Sequence, residues 1–263
     1  MKKWRLFLLS LLASITLICI WTKPVQANQT LTFGVLQDNR PYSVKTDGKW
    51  QGFLPSLASQ LQKDTGATIK LRGYLSNKAL KTALKDKKVD FILGDQENFG
   101  KNYQATTSFL HPKNILFTRS DANKKSLERL AKRKVGMLEN NQQQALLKEL
   151  GLKATTFETT DKLVDALNQK KISAAILTEQ EYYVYLKDHP QLIKPQADAA
   201  KEEQGAVLRR VNDPLILSSS FSLITYKNTK VNRLVNNAIK KELADQKLAQ
   251  LSQKYFSKDL TLK

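Results

Sequence analysis

The chain has 263 residues and a formal net charge of +19 at neutral pH, with 41% hydrophobic and 8% aromatic residues. That apolar share supports a core and argues against a disordered chain, and the length suits one large domain or two small ones. A single cysteine excludes a disulfide framework and a cysteine-based zinc site, and two histidines leave little scope for a metal centre or histidine catalysis.

Lys2, Lys3 and Arg5 precede an apolar run from Leu6 to Trp21, and Val25-Gln26-Ala27 follows. This is the order of a signal peptide, with cleavage expected after Ala27; an uncleaved membrane anchor is the alternative. A lipoprotein reading through Cys19 is weaker, because Ile18 stands where a small residue is wanted. Residues 1–27 hold four cations and no acid, so the remaining chain keeps +15 and no cysteine.

Thr32 to Leu36 reads as a buried strand that ends in turn residues around Asp38, Asn39 and Arg40-Pro41-Tyr42. Phe53, Leu54, Leu57, Ala58 and Leu61 have helical spacing, with Gly66 as the stop. Ile69 and Leu71 suggest a strand, Leu80 and Leu84 a helix, and Val89 to Leu93 a strand ending at Gly94-Asp95-Gln96. In the second half, Ser126 is a helix cap and Lys134–Leu138 a strand. Ala145–Leu150 is helical, Ala154–Phe157 a strand and Asp161–Asn168 a helix; Ala174–Leu177 is a strand and Glu179–Lys187 a helix. Leu234 to Leu251 carries a helical pattern broken near Asp245-Gln246. Residues 83–93 and 166–177 are near-copies, differing by one residue in length. Two sets of alternating strands and helices predict two α/β lobes with largely parallel sheets.

In such sheets, ligands bind beyond the carboxyl ends of the strands, where loops and helix N-termini offer backbone N–H groups. The residues to watch are therefore Asp38, Asn39, Tyr42, Tyr74, Asp95, Gln96, Asn140, Asn141, Gln142, Thr178 and Glu179.

Several pieces occur in a recognisable order: Leu31–Leu36, Arg40-Pro41-Tyr42-Ser43, Gly48 to Phe53, Val89–Leu93, Lys134–Met137 and Lys254-Tyr255-Phe256. With them the chain resembles the extracellular solute-binding proteins of family 3, receptors of amino-acid ABC importers, over residues 30–256. The resemblance implies an α/β, type II periplasmic-binding-protein-like fold: two lobes, each a mostly parallel sheet flanked by helices, joined by a two-segment hinge. It implies lobe 1 over 28–115, a crossing at 116–120 and lobe 2 over 121–194. A second crossing with an insertion follows over 195–218, and the return to lobe 1 over 219–263. It also implies an exported, monomeric binding protein, not an enzyme, whose partners are a small polar solute and a membrane ABC permease.

The family's ligand residues transfer poorly. An arginine that would hold an α-carboxylate after the third strand has no counterpart, since no Arg occurs from Gly73 to Thr118; Lys101 is the nearest cation. Asn140-Asn141 stand where the family has Gly-Thr, and Thr178 replaces the carboxylate that pairs with the substrate ammonium, with Glu179 adjacent. The neutral hydrogen-bonders Asn140, Asn141, Gln142 and Thr178 suit a polar ligand without a free ammonium. A membrane-held sensor or accessory domain is the second reading. A dehydratase-like lyase is the third, with Asp38, Asp95, Glu97 or Glu179 as acid–base candidates.

No phosphate loop, zinc-protease helix or nucleophile elbow is present, and no cofactor is expected. His111 and His189 each precede a proline and read as loop residues. The lysines are dispersed without interleaved aromatics, which argues against nucleic acid and fits a solvated face or weak association with an anionic envelope surface. Residues 197–210 read as a solvated insertion.

Overall fold

The computed structural model describes residues 29–122, 126–130, 132–139, 141, 143–193 and 207–262. The signal segment, Asn140, Gln142 and most of the insertion at 197–210 lie outside the described residues. Elements in the first part are β1 (Thr30–Leu36), β2 (Asp38–Asn39), β3 (Ser43–Thr46), β4 (Lys49–Gln51), α1 (Phe53–Thr65), β5 (Thr68–Tyr74), α2 (Asn77–Lys85), β6 (Phe91–Asp95) and β7 (Tyr103–Ala105). The second part holds β8 (Asn114–Arg119), β9 (Lys134–Leu138), α3 (Gln143–Glu149), β10 (Lys153–Phe157), α4 (Thr160–Asn168), β11 (Ala174–Thr178), α5 (Glu179–Asp188) and β12 (Leu208–Val211). The chain then returns through β13 (Phe221–Tyr226), α6 (Thr229–Ala244) and α7 (Lys247–Phe256).

Two five-stranded sheets result, ordered β5-β1-β6-β13-β7 and β10-β9-β11-β8-β12. Each has three parallel strands at one side and two antiparallel strands at the other. The expected parallel sheets are therefore half of each pairing scheme; in the antiparallel half, β13 and β8 arrive from the opposite lobe, and β7 and β12 pair with them at the sheet edges. A small antiparallel sheet, β2-β3-β4, sits over the end of β1.

Each large sheet is covered on both faces. In lobe 1, the apolar side of α1, α6 and α7 packs on one face through Leu57, Leu61, Val235 and Leu248, while Leu80 and Leu84 of α2 pack on the other. In lobe 2, α4 and α5 cover one face through Leu163, Leu167 and Tyr182, while Leu147 of α3 and Leu130 cover the other. Burial on both faces is the setting in which parallel strands read as continuous apolar runs.

The near-copy is a repeat of structure. After α2, Lys87 takes a left-handed conformation (φ 57°) and the Lys88 N–H donates to Ala83 O at 2.8 Å. After α4, Lys170 does the same (φ 61°) and the Lys171 N–H donates to Ala166 O at 2.9 Å. Both turns end a helix and launch the central strand of their sheet.

The crossings differ from expectation. β8 lies entirely in the second sheet, paired with β11 and β12, so the first crossing precedes residue 114 instead of occupying 116–120. β12 is also in the second sheet, so lobe 2 extends past 194 and the second crossing is the segment 212–220. The two crossings run side by side: Ser219 N–H donates to Pro112 O at 2.9 Å and Phe221 N–H to Leu110 O at 2.9 Å. The buried Gln143 amide grips this hinge twice, donating to Leu217 O at 2.9 Å and accepting from Leu217 N–H at 3.1 Å.

Candidate functional site

Between the lobes lies a cavity of about 110 Å³. It is lined by the ends of β1 and β6, the β2–β3 turn and the start of α2 from lobe 1. Lobe 2 contributes the residues after β9 and the start of α5, and Ser219 adds the hinge.

Tyr42 is held by both its backbone and its ring. Its carbonyl and that of Pro41 accept from the first N–H groups of α1, Leu54 at 2.8 Å and Phe53 at 3.2 Å. These carbonyls supply the cap that the side chain of residue 52 cannot. The approach requires glycine: Gly52 has φ 116°, and a Cβ there would meet Tyr42 O at 2.7 Å. The Tyr42 ring packs against Phe256 and Phe221, with centroids 5.2 and 6.0 Å apart, and the residue is 1% exposed. Its hydroxyl is buried without a hydrogen-bond partner. Burial, with the nearby Glu181 carboxylate second, raises its pKa well above the usual phenol value. Thr178 is close enough to act the other way. The Thr178 hydroxyl itself donates to Glu181, and the Tyr42 hydroxyl has no hydrogen-bond partner.

Thr178 and Glu181 form a capping box at the start of α5. The Thr178 backbone N–H (3.0 Å) and hydroxyl (2.7 Å) both donate to Glu181 Oε2, and the Glu181 N–H donates to Thr178 Oγ1 at 3.3 Å. The box folds the third residue of the helix back over its start. That brings a carboxylate to the cavity beside Thr178. Burial raises the Glu181 pKa, partly offset by the Thr178 bonds.

Two other carboxylates line the cavity. Asp95 Oδ1 accepts from Glu97 N–H at 3.2 Å and Oδ2 from Ser220 N–H at 2.9 Å, so it ties β6 to the hinge. Glu139, just after β9, reaches across the lobes: its Oε2 accepts from Lys78 N–H at 3.0 Å, and its carbonyl from Asn77 Nδ2 at 3.3 Å. An anion at a helix start is a favourable arrangement, and α2 has no acid in its own first turn. No lysine, arginine or histidine is among the described residues that line the cavity.

Of the residues singled out by sequence, Asn39, Tyr42, Asp95, Asn141 and Thr178 come together here. Asp38 faces solvent beside Arg40. Tyr74 packs behind α2. Gln96 and Lys101 line a different hollow, beyond Asp95. Glu179 points away, to Arg210 Nη1 on β12 at 2.6 Å. The carboxylate beside Thr178 is therefore Glu181, two residues further on. Its signal was legible as Thr-x-x-Glu at a helix start. Glu139, Asn77 and Ser219 carried no such signal. Beside the neutral hydrogen-bonders Asn141 and Thr178, the lining carries three carboxylates, Asp95, Glu139 and Glu181.

A model of the bacterial extracellular solute-binding proteins, family 3, matches residues 31–258. The chain belongs to this family. Among solved structures it is similar to the arginine-, lysine-, histidine-binding protein ArtJ from Geobacillus stearothermophilus (TM-score 0.71, 20% identity, 88% of this chain and 96% of that one). It is likewise similar to the amino acid ABC transporter substrate-binding protein AbpA from Streptococcus pneumoniae (0.69, 19%, 90% and 98%). It also resembles the periplasmic domain of B. pertussis BvgS (0.69, 17%), covering 88% of this chain and 43% of that one. At these identities the likeness is one of fold. No curated protein matches by sequence. The solute-binding proteins of this family are binding proteins of the amino-acid ABC transporter type. Among the described residues no helix is long and apolar enough to cross a membrane, and no group of His, Cys, Asp and Glu is placed to hold a metal.

Proposed function

We propose that this solute-binding protein captures a small polar solute in the cavity between its lobes and hands it to an ABC importer after export. The observation that carries the reading is the Tyr42 hydroxyl, which is buried in the cavity wall with no protein partner. A buried polar group without a partner is costly, and one on the wall of a cavity is open to a bond from a molecule bound there. The hinge supports the same reading. Two adjacent crossings bonded to each other allow the lobes to separate and close without breaking either core. Screening small solutes by thermal shift tests it: a bound solute raises the melting temperature of the wild-type protein by mass action. A panel of small polar solutes that leaves the melting temperature unchanged at millimolar concentration argues against capture.

A second reading, for which the apolar run from Leu6 to Trp21 speaks, is a sensor or accessory domain held at the membrane by the segment before residue 28. Mass spectrometry of the native N-terminus separates the two, since a chain starting at Asn28 has no anchor.

A further inference from the structure

Resting on the capture reading, we propose that the solute is a small organic ammonium ion that carries no carboxylate. Three observations support it together. First, the described lining of the cavity holds Asp95, Glu139 and Glu181 and no cationic side chain. A carboxylate entering it meets like charge and no guanidinium fork.

Second, several of the backbone groups that could receive an anion are already used. At the start of α2, Lys78 N–H goes to Glu139 and Ala79 N–H to Ser76. At the start of α3, Gln143 N–H goes to Asn141 Oδ1. At the start of α5, Glu181 N–H goes to Thr178. These N–H groups are taken by the protein's own side chains, which lowers the capacity of the helix starts for an anion.

Third, two groups suited to an ammonium remain. Both bonds that Glu181 accepts from Thr178 fall on Oε2, and the Tyr42 oxygen has no partner. A carboxylate and a phenol oxygen on opposite lobes accept N–H donors from one ammonium, and the charged pair is the stronger kind of hydrogen bond. The remaining wall, including Leu36, Leu80, Ile92 and Phe99, suits a short aliphatic body.

A matched set of probes tests this by calorimetric titration of the full chain. Isobutylammonium is valine without its carboxylate, and isovalerate is valine without its ammonium. The expected result is that isobutylammonium binds about tenfold or more tightly than valine and that isovalerate does not bind. Glu181→Gln keeps the capping box, which accepts Gln at that position, and should weaken isobutylammonium binding by about tenfold. Tyr42→Phe should weaken it less. Glu158→Gln, on the lobe surface, should leave it unchanged. Binding of valine or isovalerate in preference to the amine overturns this inference and leaves the capture reading standing. Equal amine binding by wild type and Glu181→Gln also overturns it. If none of the three probes binds and no solute shifts the melting temperature, both readings fall.

Discussion

Removing the Tyr42 hydroxyl should make the unliganded protein more stable while impairing its function. The residue is 1% exposed, and its ring is held by Phe221 and Phe256, so Tyr42→Phe keeps the packing. The hydroxyl has no partner, and burying such a group costs about 1–3 kcal/mol. Its position on the wall of a cavity between two lobes lets water offset part of that cost. The expected gain is therefore at the lower end, about 1 kcal/mol, which for a chain of this size raises the melting temperature by about 2–4 °C. Differential scanning calorimetry of the two proteins, without added solute, reads this directly. A fall of similar size in Tyr42→Phe would mean that the hydroxyl is satisfied within the protein, and would refute the reasoning that places a ligand bond there.

Glu139→Ala removes the carboxylate that joins lobe 2 to the start of α2, so the unliganded lobes should spend more time apart. Small-angle scattering should show a larger radius of gyration than wild type; an identical value would show that this bridge does not hold the lobes. A second prediction concerns pH. Glu242 is buried, and burial together with the neighbouring Asp64 raises its pKa to about 7, while Asp64 itself is held below its usual range. A raised carboxylate pKa stabilises the fold fully below the unfolded value, and the contribution is lost as pH rises through about 7. Glu181 is raised as well and acts in the same direction. Urea denaturation should therefore find the wild type less stable at pH 8 than at pH 5, with a smaller difference in Glu242→Gln. The same difference in both proteins would count against the assignment.

Much of the fold was legible because the helices carry clear apolar faces and stop signals. Gly66 ends α1 in a left-handed conformation, and the break expected at Asp245-Gln246 separates α6 from α7. The antiparallel strands were harder to read. β8, Asn-Ile-Leu-Phe-Thr-Arg, is buried at every position and so has no alternation to mark it as a strand. Strands β7, β12 and β13 are short or follow a crossing, and their places depend on which lobe the chain returns to. The site shows the same division. Residues at strand ends or in the turn beyond them, Asn39, Tyr42, Asp95 and Thr178, follow from the strand-end rule. Glu181 needed the capping box to be read as a spatial device and not only as a helix start. Glu139 was out of reach, because its partner Lys78 lies on the other lobe, and nothing in the local sequence of either residue brings them together.

The missing arginine between Gly73 and Thr118 remains the sequence feature with the largest consequence. No cation is among the described residues lining the cavity, and Lys101, the nearest cation by sequence, lines a separate hollow with Gln96. The fold of the family is retained, while the described lining of its cavity holds three carboxylates and no cation. Specificity is thus a property of the cleft residues and not of the lobes that carry them.

The most direct test is a crystal structure of the protein with its stabilising solute bound. The account predicts the solute enclosed between the lobes, in contact with the Tyr42 hydroxyl from one side and the Glu181 carboxylate from the other. A solute seated instead in the hollow beyond Asp95, or lobes closed on an empty cleft in a protein that binds its solute elsewhere, would contradict it.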